Sequence, residues 1–115
     1  MLFRSKLSCS GNNLKGLGLS QNLMLKSVNC SFNQLGELEV RKNTELDYLD
    51  CQSNYLGALD VRFNPLLAKY NCSKNPMTTL DLTRNASLKI LYCTNLAIEE
   101  LNLCENLELD RKSVV

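Results

Sequence analysis

The sequence predicts a solenoid: a stack of about five similar coils of 21 residues, mainly β, with a parallel sheet, short strands and turns and no long helix. The first observation is a cysteine that recurs every 21 residues, at Cys9, Cys30, Cys51, Cys72 and Cys93. The second is that leucine and asparagine positions recur in the same register. The third is that no stretch shows the 3.6-residue period of a helix, because asparagine, glycine or proline interrupts the chain about every ten residues.

The repeating unit has two similar halves. It follows the pattern LxxLxCxxNxLxxLxVxxNxxL, with the third coil beginning at Leu46. Apolar and polar residues alternate around Leu49 and Cys51, and again around Leu59 and Val61. A period of two is typical of short strands that bury one face. The pattern therefore predicts two short strands in every coil.

The chain is expected to form one domain, residues 1–115. Its length and its 44% content of apolar residues fit a single folded unit. Residues 1–6 are interpreted as an N-terminal cap or partial coil, because Arg4 occupies a column that is otherwise apolar. Residues 108–115 are interpreted as a C-terminal cap or truncated coil, because Leu109 keeps the pattern and the following residues lose it.

Charge does not point to a polyanionic partner. Thirteen basic and twelve acidic residues give a net charge of +1, and no basic cluster stands out. Neither a signal peptide nor a stretch of transmembrane length is present in the sequence. We therefore expect no nucleic-acid binding and no membrane insertion, while the location of the protein stays unknown at this point.

Two columns of asparagine are predicted to satisfy the backbone where the chain turns out of a strand. A buried amide can both donate to and accept from backbone groups that lack strand partners, and stacked amides form an asparagine ladder. In the fifth coil Asn95 comes one position early and Leu96 takes its place, so the first ladder should end or distort there. The columns are Asn12, Asn33, Asn54 and Asn75, then Asn22, Asn43, Asn64, Asn85 and Asn106.

The cysteine column is interpreted as core packing and not as a metal or redox site. A thiol is a small apolar group that fits an inward position where leucine is too large. Adjacent rungs are close enough for a disulfide, but side chains stacked in parallel disfavour its dihedral angle. Cys104 lies in an outward column and is the one cysteine expected to be reactive, through exposure.

The LxxLxCxxNxL segment resembles the conserved part of leucine-rich repeat proteins. The doubled 21-residue unit is similar to the short bacterial class sometimes called IRREKO repeats, over approximately residues 7 to 109. The resemblance implies a right-handed, curved solenoid, or horseshoe, with the parallel sheet on its concave face. It also implies protein recognition, and a bacterial cell-surface or secreted location, with a cytoplasmic one left open.

Catalytic chemistry finds little support. The chain has no histidine, which removes the usual nucleophile pairs and the commonest metal ligand. It also has no glycine-rich phosphate loop. We therefore expect no enzymatic activity, no cofactor and no metal.

The outward side chains of the first strand in each coil form the predicted ligand-binding face. They are polar and include two tyrosines, which suits contact with a protein. The predicted binding residues are Asn29, Ser31, Tyr48, Asp50, Gln52, Lys69, Asn71, Ser73, Tyr92 and Thr94.

The favoured function is a protein–protein interaction module with an unidentified protein partner. One alternative is a structural or self-associating element whose open ends stack between molecules. Another is a carbohydrate-binding module of a larger bacterial surface protein, although seven aromatic residues without tryptophan make a poor platform for sugars.

The second half of each coil is expected to serve solubility more than binding. Glu39 with Arg41, and Asp60 with Arg62, are predicted to form exposed pairs. Phe32 and Phe63 each precede a residue of an asparagine column, in the first and the second half of the coil respectively, and are predicted to pack in the turns.

Overall fold

The computed structural model describes residues 5–103, 105–110 and 114. Each coil contributes one three-residue strand to a single parallel sheet, in which the strands follow chain order. The register advances by one repeat at each step, so that Leu49 pairs with Val28 on one side and with Tyr70 on the other. The strands are β1 (Lys6–Ser8), β2 (Ser27–Asn29), β3 (Tyr48–Asp50), β4 (Lys69–Asn71) and β5 (Ile90–Tyr92).

The predicted parallel solenoid is confirmed. The part of the chain that the structure describes contains no helix, so it offers none that could cross a membrane. The positions expected to act as caps fall largely outside this part: Arg4 and residues 111–113 and 115 are not described, and neither is Cys104.

The inward side chains form one continuous core along the stack. Leu46, Leu49 and Leu56 of the third coil have no exposed surface, and the equivalent leucines of neighbouring coils pack above and below them. Burial of each such side chain stabilises the fold by about 1.5–3 kcal/mol. Ordering the 21 residues of a coil costs about 1–2 kcal/mol per residue for the backbone alone. A coil therefore needs its neighbours in order to fold.

Backbone pairing continues past each strand into the turn that follows it. In the third coil the N–H of Cys51 donates to the carbonyl of Asn71 at 2.9 Å, and the N–H of Ser53 donates to that of Ser73 at 2.9 Å. The chain then turns sharply, and the residue two positions after the column cysteine has a positive φ in every coil. These residues are Gly11, Phe32, Ser53, Lys74 and Asn95, with φ between 54° and 72°.

The expected second strand of each coil is absent from the described residues. Val61 is buried and Leu59 is half-buried, so the alternation of burial is present without the strand. The hydrogen bonds of the backbone carbonyls explain why no second strand forms. The carbonyl of Val61 accepts from the N–H of Asn64 at 3.2 Å and from Nδ2 of Asn85 at 3.0 Å. These two donors take the place of a backbone N–H from the next coil, and the second half of the repeat is therefore held by asparagine side chains.

The charged and aromatic side chains of this second half are exposed. Arg62 pairs with Asp60 at 3.0 Å, and both side chains are about half exposed. Arg41 lies over the ring of Phe63 at 5.0 Å from its centroid, and Arg62 lies 5.7 Å from the same centroid. In the first half of the coil, Phe32 was also expected to pack in its turn, but it is 55% exposed.

Candidate functional site

The first asparagine column is part of the scaffold and not of a binding surface. Asn54 is buried, and its Oδ1 accepts from the N–H of Leu35 in the preceding coil at 3.0 Å. Its Nδ2 donates to the carbonyls of Cys30 at 3.1 Å and Cys51 at 3.0 Å, which joins the two coils. The predicted asparagine ladder is thus confirmed. At the corresponding place in the fifth coil the partly buried Leu96 has no amide to offer.

The second asparagine column is also internal. Nδ2 of Asn64 donates to the carbonyls of Val40 at 3.0 Å and Asn43 at 2.9 Å, both in the preceding coil. Both N–H groups of such an amide are therefore used in hydrogen bonds to backbone carbonyls. Within the described residues no donor reaches the buried Oδ1 atoms of Asn43, Asn64, Asn85 and Asn106.

The inner thiols of the cysteine column are poorly suited to reaction or metal binding. Cys30, Cys51 and Cys72 are buried and carry free thiols. Burial is the main cause that raises the pKa of Cys30 and that of Cys72 to about 12, so both thiols stay protonated near neutral pH. Because the thiolate is the nucleophile and the metal ligand, these side chains are unsuited to either role. The described residues contain no cluster of three or more His, Cys, Asp or Glu that could hold a metal ion.

The outward face of the sheet carries a cluster of two tyrosines and a lysine. Tyr48 and Lys69 are paired residues on β3 and β4, and Tyr92 lies on β5. Nζ of Lys69 lies 5.5 Å from the ring centroid of Tyr48 and 5.9 Å from that of Tyr92. An ammonium group within about 6 Å of an aromatic face is attracted to it. The lysine is thus held between two rings, and all three side chains are half-buried.

The carboxylate of Asp50 forms hydrogen bonds at the base of this cluster. Its carboxylate accepts from the backbone N–H of Gln52 at 3.2 Å, from Nε2 of Gln52 at 3.1 Å, and from the Tyr48 hydroxyl at a longer 3.4 Å. Burial, together with the Asp50 carboxylate, raises the pKa of Tyr48. Asp50 is only 7% exposed, so it orients Tyr48 and Gln52 more than it meets a ligand itself.

The smaller polar residues of the face form hydrogen bonds with one another. Oδ1 of Asn29 accepts from the N–H of Ser31 at 3.1 Å and from its hydroxyl at 2.7 Å. Oδ1 of Asn71 accepts from the N–H of Ser73 at 3.1 Å, and Oγ of Ser73 accepts from the N–H of Thr94 at 3.0 Å. Ser31 and Ser73 are also buried, so they hold neighbouring residues of the face in place and do not themselves present a surface to a partner.

The structure therefore divides the ten predicted binding residues. Three are buried beneath the face, six are half-buried at it and one, Thr94, is exposed. The buried residues are Ser31, Asp50 and Ser73. The half-buried residues are Asn29, Tyr48, Gln52, Lys69, Asn71 and Tyr92.

A second surface feature lies in the first coil and was missed at the level of sequence. An open concavity of about 520 Å³ is lined by residues that include Lys15, Leu17, Glu37 and the glycines at positions 16 and 18. No atom lies within 4 Å of where a Cβ on either glycine would stand. The signal was available, because later coils place side chains such as glutamate and aspartate in these two columns.

The fold and its internal columns define the class of the protein. One strand per 21-residue coil, a leucine core and stacked asparagines give this chain the fold of a leucine-rich repeat protein with a 21-residue period.

Solved structures agree with this assignment. The chain is similar to the functional domain of InlJ from Listeria monocytogenes, which includes a cysteine ladder, with 31% identity and a TM-score of 0.81 over 91% of this chain and 28% of that one. It shares its fold with internalin C2 of the same species, at 16% identity and a TM-score of 0.85 over 90% of this chain and 48% of the other.

A third structure, the internalin inlF of Listeria monocytogenes, matches at 18% identity and a TM-score of 0.73, over 80% of this chain and 29% of that one. The chain thus spans less than half the length of each of these proteins. No family model and no curated protein sequence matches it.

Proposed function

We propose that this chain is a protein-recognition module that binds its partner through the outward face of the parallel sheet. The likeness to internalin repeats supports a protein-interaction repeat as the general class. The contact is centred on Tyr48, Lys69 and Tyr92. The observation that carries this choice is the position of the Lys69 ammonium group between the two tyrosine rings.

Such a cluster has the properties of a binding hot spot. Tyrosine offers a large, rigid surface with an apolar ring and a polar hydroxyl, and it is enriched where interfaces bind most tightly. The two rings and Asp50 also hold their neighbours before a partner arrives. Few further side chains then lose conformational freedom on binding. Each side chain that is already ordered lowers the entropic cost of binding by about 0.5–1.5 kcal/mol.

The same geometry counts against a carbohydrate platform. Sugars stack on the open faces of aromatic rings, whereas the rings of Tyr48 and Tyr92 already face the ammonium group of Lys69. A non-enzymatic role is part of the proposal and is supported by the protonated state of the buried thiols. The cell-surface or secreted location stays a prediction.

The test compares binding by three forms of the chain. Proteins captured by the natural chain are identified, and the affinity of each purified pair is then measured with a Tyr48→Ala/Tyr92→Ala variant and with a Tyr55→Ala variant. Tyr55 is 65% exposed and lies outside the sheet, so it is a matched control.

We expect the double variant to weaken binding by about thirtyfold or more, which corresponds to a 2 kcal/mol hot spot. Tyr55→Ala should bind as the natural chain does. Equal affinities for all three forms, with unchanged circular dichroism, would exclude this face as the contact surface.

A further inference from the structure

The outward side of the second half of the coils carries a cluster of basic residues around one phenylalanine. Lys42, Phe63 and Arg84 follow one another at intervals of 21 residues, so they lie side by side in adjacent coils. Arg41 and Arg62 form the neighbouring column, one position earlier in their coils. All five side chains are exposed. We call these five residues the basic–aromatic cluster.

The cluster belongs to the inner coils of the stack and not to the sheet. Gln21 and Glu105 occupy the column of Phe63 in the first and fifth coils, so the positive charge is confined to the three coils between them. Both halves of a coil turn their apolar side chains inward, as Leu49 and Leu59 do. The outward columns of the second half therefore face away from the sheet, and a partner bound there leaves the sheet face open.

Two guanidinium groups contact the ring of Phe63. The Cζ atom of Arg41 lies 5.0 Å from the ring centroid, and that of Arg62 lies 5.7 Å from it. The attraction between a cation and an aromatic face holds both groups near the ring. A guanidinium group carries its N–H donors in its own plane, so an arginine that packs on a ring can still bind a carboxylate through its edge.

The basic residues of the cluster differ in what they already bind. Nε and one terminal nitrogen of Arg62 each donate to the carboxylate of Asp60 at 3.0 Å, and this bond is the main cause that lowers the pKa of Asp60. Arg41 was predicted to pair with Glu39, but among the described residues its side chain forms no ion pair. The same holds for Lys42 and Arg84. Three of the four cations are therefore available to a partner.

We propose that the basic–aromatic cluster binds an extended acidic segment of a partner protein, in which two carboxylates lie three residues apart with an apolar side chain between them. Arg41 and Arg84 are two coils apart, about 10 Å along the stack, which is also the length of three residues in an extended chain. One carboxylate accepts two parallel hydrogen bonds from Arg41, and the other binds Arg84. The apolar side chain covers Phe63, which lies in the coil between them and is 41% exposed.

The charges beside the cluster favour a protein over other anionic partners. Glu39, Asp60 and Asp81 form an exposed column two positions before the column of Arg41 and Arg62. A uniformly anionic polymer or membrane surface that covered the cluster would also meet these carboxylates and be repelled. A protein segment avoids this, because it can place acidic side chains on the cluster and neutral or basic ones beside it.

The experiment measures fluorescence anisotropy of a labelled peptide of four Glu-Leu-Gly units, in which carboxylates recur every three residues. A peptide of Gln-Leu-Gly units is the uncharged reference, and we expect the natural chain to bind only the acidic one. Arg41→Gln/Arg84→Gln should bind it at least about tenfold more weakly, through loss of two ion pairs. Lys26→Gln/Lys89→Gln is the matched control, since it removes the same charge from exposed residues outside the cluster and should change the affinity little.

Two further comparisons separate recognition from general attraction between charges. Arg41→Lys/Arg84→Lys keeps the charge but loses the planar guanidinium groups, and it should also weaken binding clearly. Phe63→Ala should weaken it about threefold through loss of contact with the ring, whereas Phe32→Ala should not. Phe32 is 55% exposed and lies outside the cluster. Unchanged circular dichroism shows that these exposed substitutions leave the fold intact.

The proposal would be overturned if the natural chain did not bind the acidic peptide, or if the control pair of lysines mattered as much as the two arginines. It would also be wrong if the lysine variant bound as tightly as the natural chain. Equally tight binding of a sulfated oligosaccharide of the same charge would identify a general site for polyanions instead. Tyr48→Ala/Tyr92→Ala should bind the peptide as the natural chain does, so this proposal and that for the sheet face fail independently.

Discussion

A single backbone conformation recurs at the turn after every strand. The residue two positions after each column cysteine has a φ between 54° and 72°, a left-handed region that costs an ordinary L-residue about 1–2 kcal/mol. Glycine and asparagine adopt it most easily, and they occupy it at positions 11 and 95. Phe32, Ser53 and Lys74 bear the cost because their N–H groups are bound to the next coil.

Replacing a strained residue with asparagine should therefore stabilise the protein. We expect Lys74→Asn to raise the free energy of unfolding by about 1 kcal/mol, because asparagine tolerates a φ of 57° and keeps the backbone bond to Thr94. Urea unfolding gives the value. Lys42→Asn is the control, since Lys42 is exposed and is not among the residues with positive φ. An equal gain for both variants would mean that removal of charge, and not relief of strain, is responsible.

Sequence alone did not predict this turn. Its five residues are glycine, phenylalanine, serine, lysine and asparagine, which share no chemical property, so the column looks variable. The constraint is a hydrogen bond of the backbone, and every residue type except proline can supply it.

Among the elements of the fold, the asparagine ladders replace the second strand that the pattern predicts. Alternation of apolar and polar residues reports which side chains are buried, and Leu59 and Val61 do point inward. It does not report what the backbone carbonyls bind. The first strand of each coil was therefore predicted correctly from the sequence, and the second was not.

Loss of one inner amide should be costly. Asn54→Leu keeps the approximate size of the side chain but removes the acceptor of the Leu35 N–H and the donor to two buried carbonyls. Each unsatisfied buried group costs about 1–3 kcal/mol, so we expect a loss of at least about 3 kcal/mol in the free energy of unfolding.

Asn12→Leu provides the comparison, because Asn12 is exposed and its amide bonds stay within one coil. Measured by urea unfolding, Asn12→Leu should cost less than about 1 kcal/mol. Similar losses for the two variants would contradict the role given to the ladder.

At the scale of the whole molecule, the column of buried thiols is expected to make the free energy of unfolding fall as the pH rises into the alkaline range. The pKa of Cys30 and that of Cys72 rise from 9.0 to about 12 on folding, mainly through burial. Below pH 9 both states hold these protons, so the stability is fully present. Between pH 9 and about 12 the unfolded chain releases protons that the folded chain retains, and stability falls.

We expect each of these two thiols to lower the free energy of unfolding by about 1.4 kcal/mol per pH unit above pH 9. Denaturant unfolding at several pH values tests this. Cys30→Ala should be less stable at pH 7 through loss of packing, yet its stability should decline less steeply with pH. If the slope were unchanged, the Cys30 thiol would not be the group that titrates.

The sequence was sufficient to predict which face of the sheet carries the candidate site, but not which hydrogen bonds its side chains make. Counting two-residue steps along the strands places Tyr48, Lys69 and Tyr92 on one side of the sheet. It cannot show that Asp50 lies under them or that Ser31 is bonded to Asn29, since these contacts depend on side-chain conformation.

The equal register of every coil has a consequence for how such a chain changes over evolutionary time. Residues that touch across a coil boundary are separated by nearly the same number of positions throughout, such as 21 between Asn64 and Asn43 and again between Asn85 and Asn64. A duplicated coil inserted in frame meets the partners above and below that its parent coil meets. Unequal recombination between repeats can therefore lengthen or shorten the protein by whole coils without disturbing the core, whereas the gain of a single residue breaks both ladders at once.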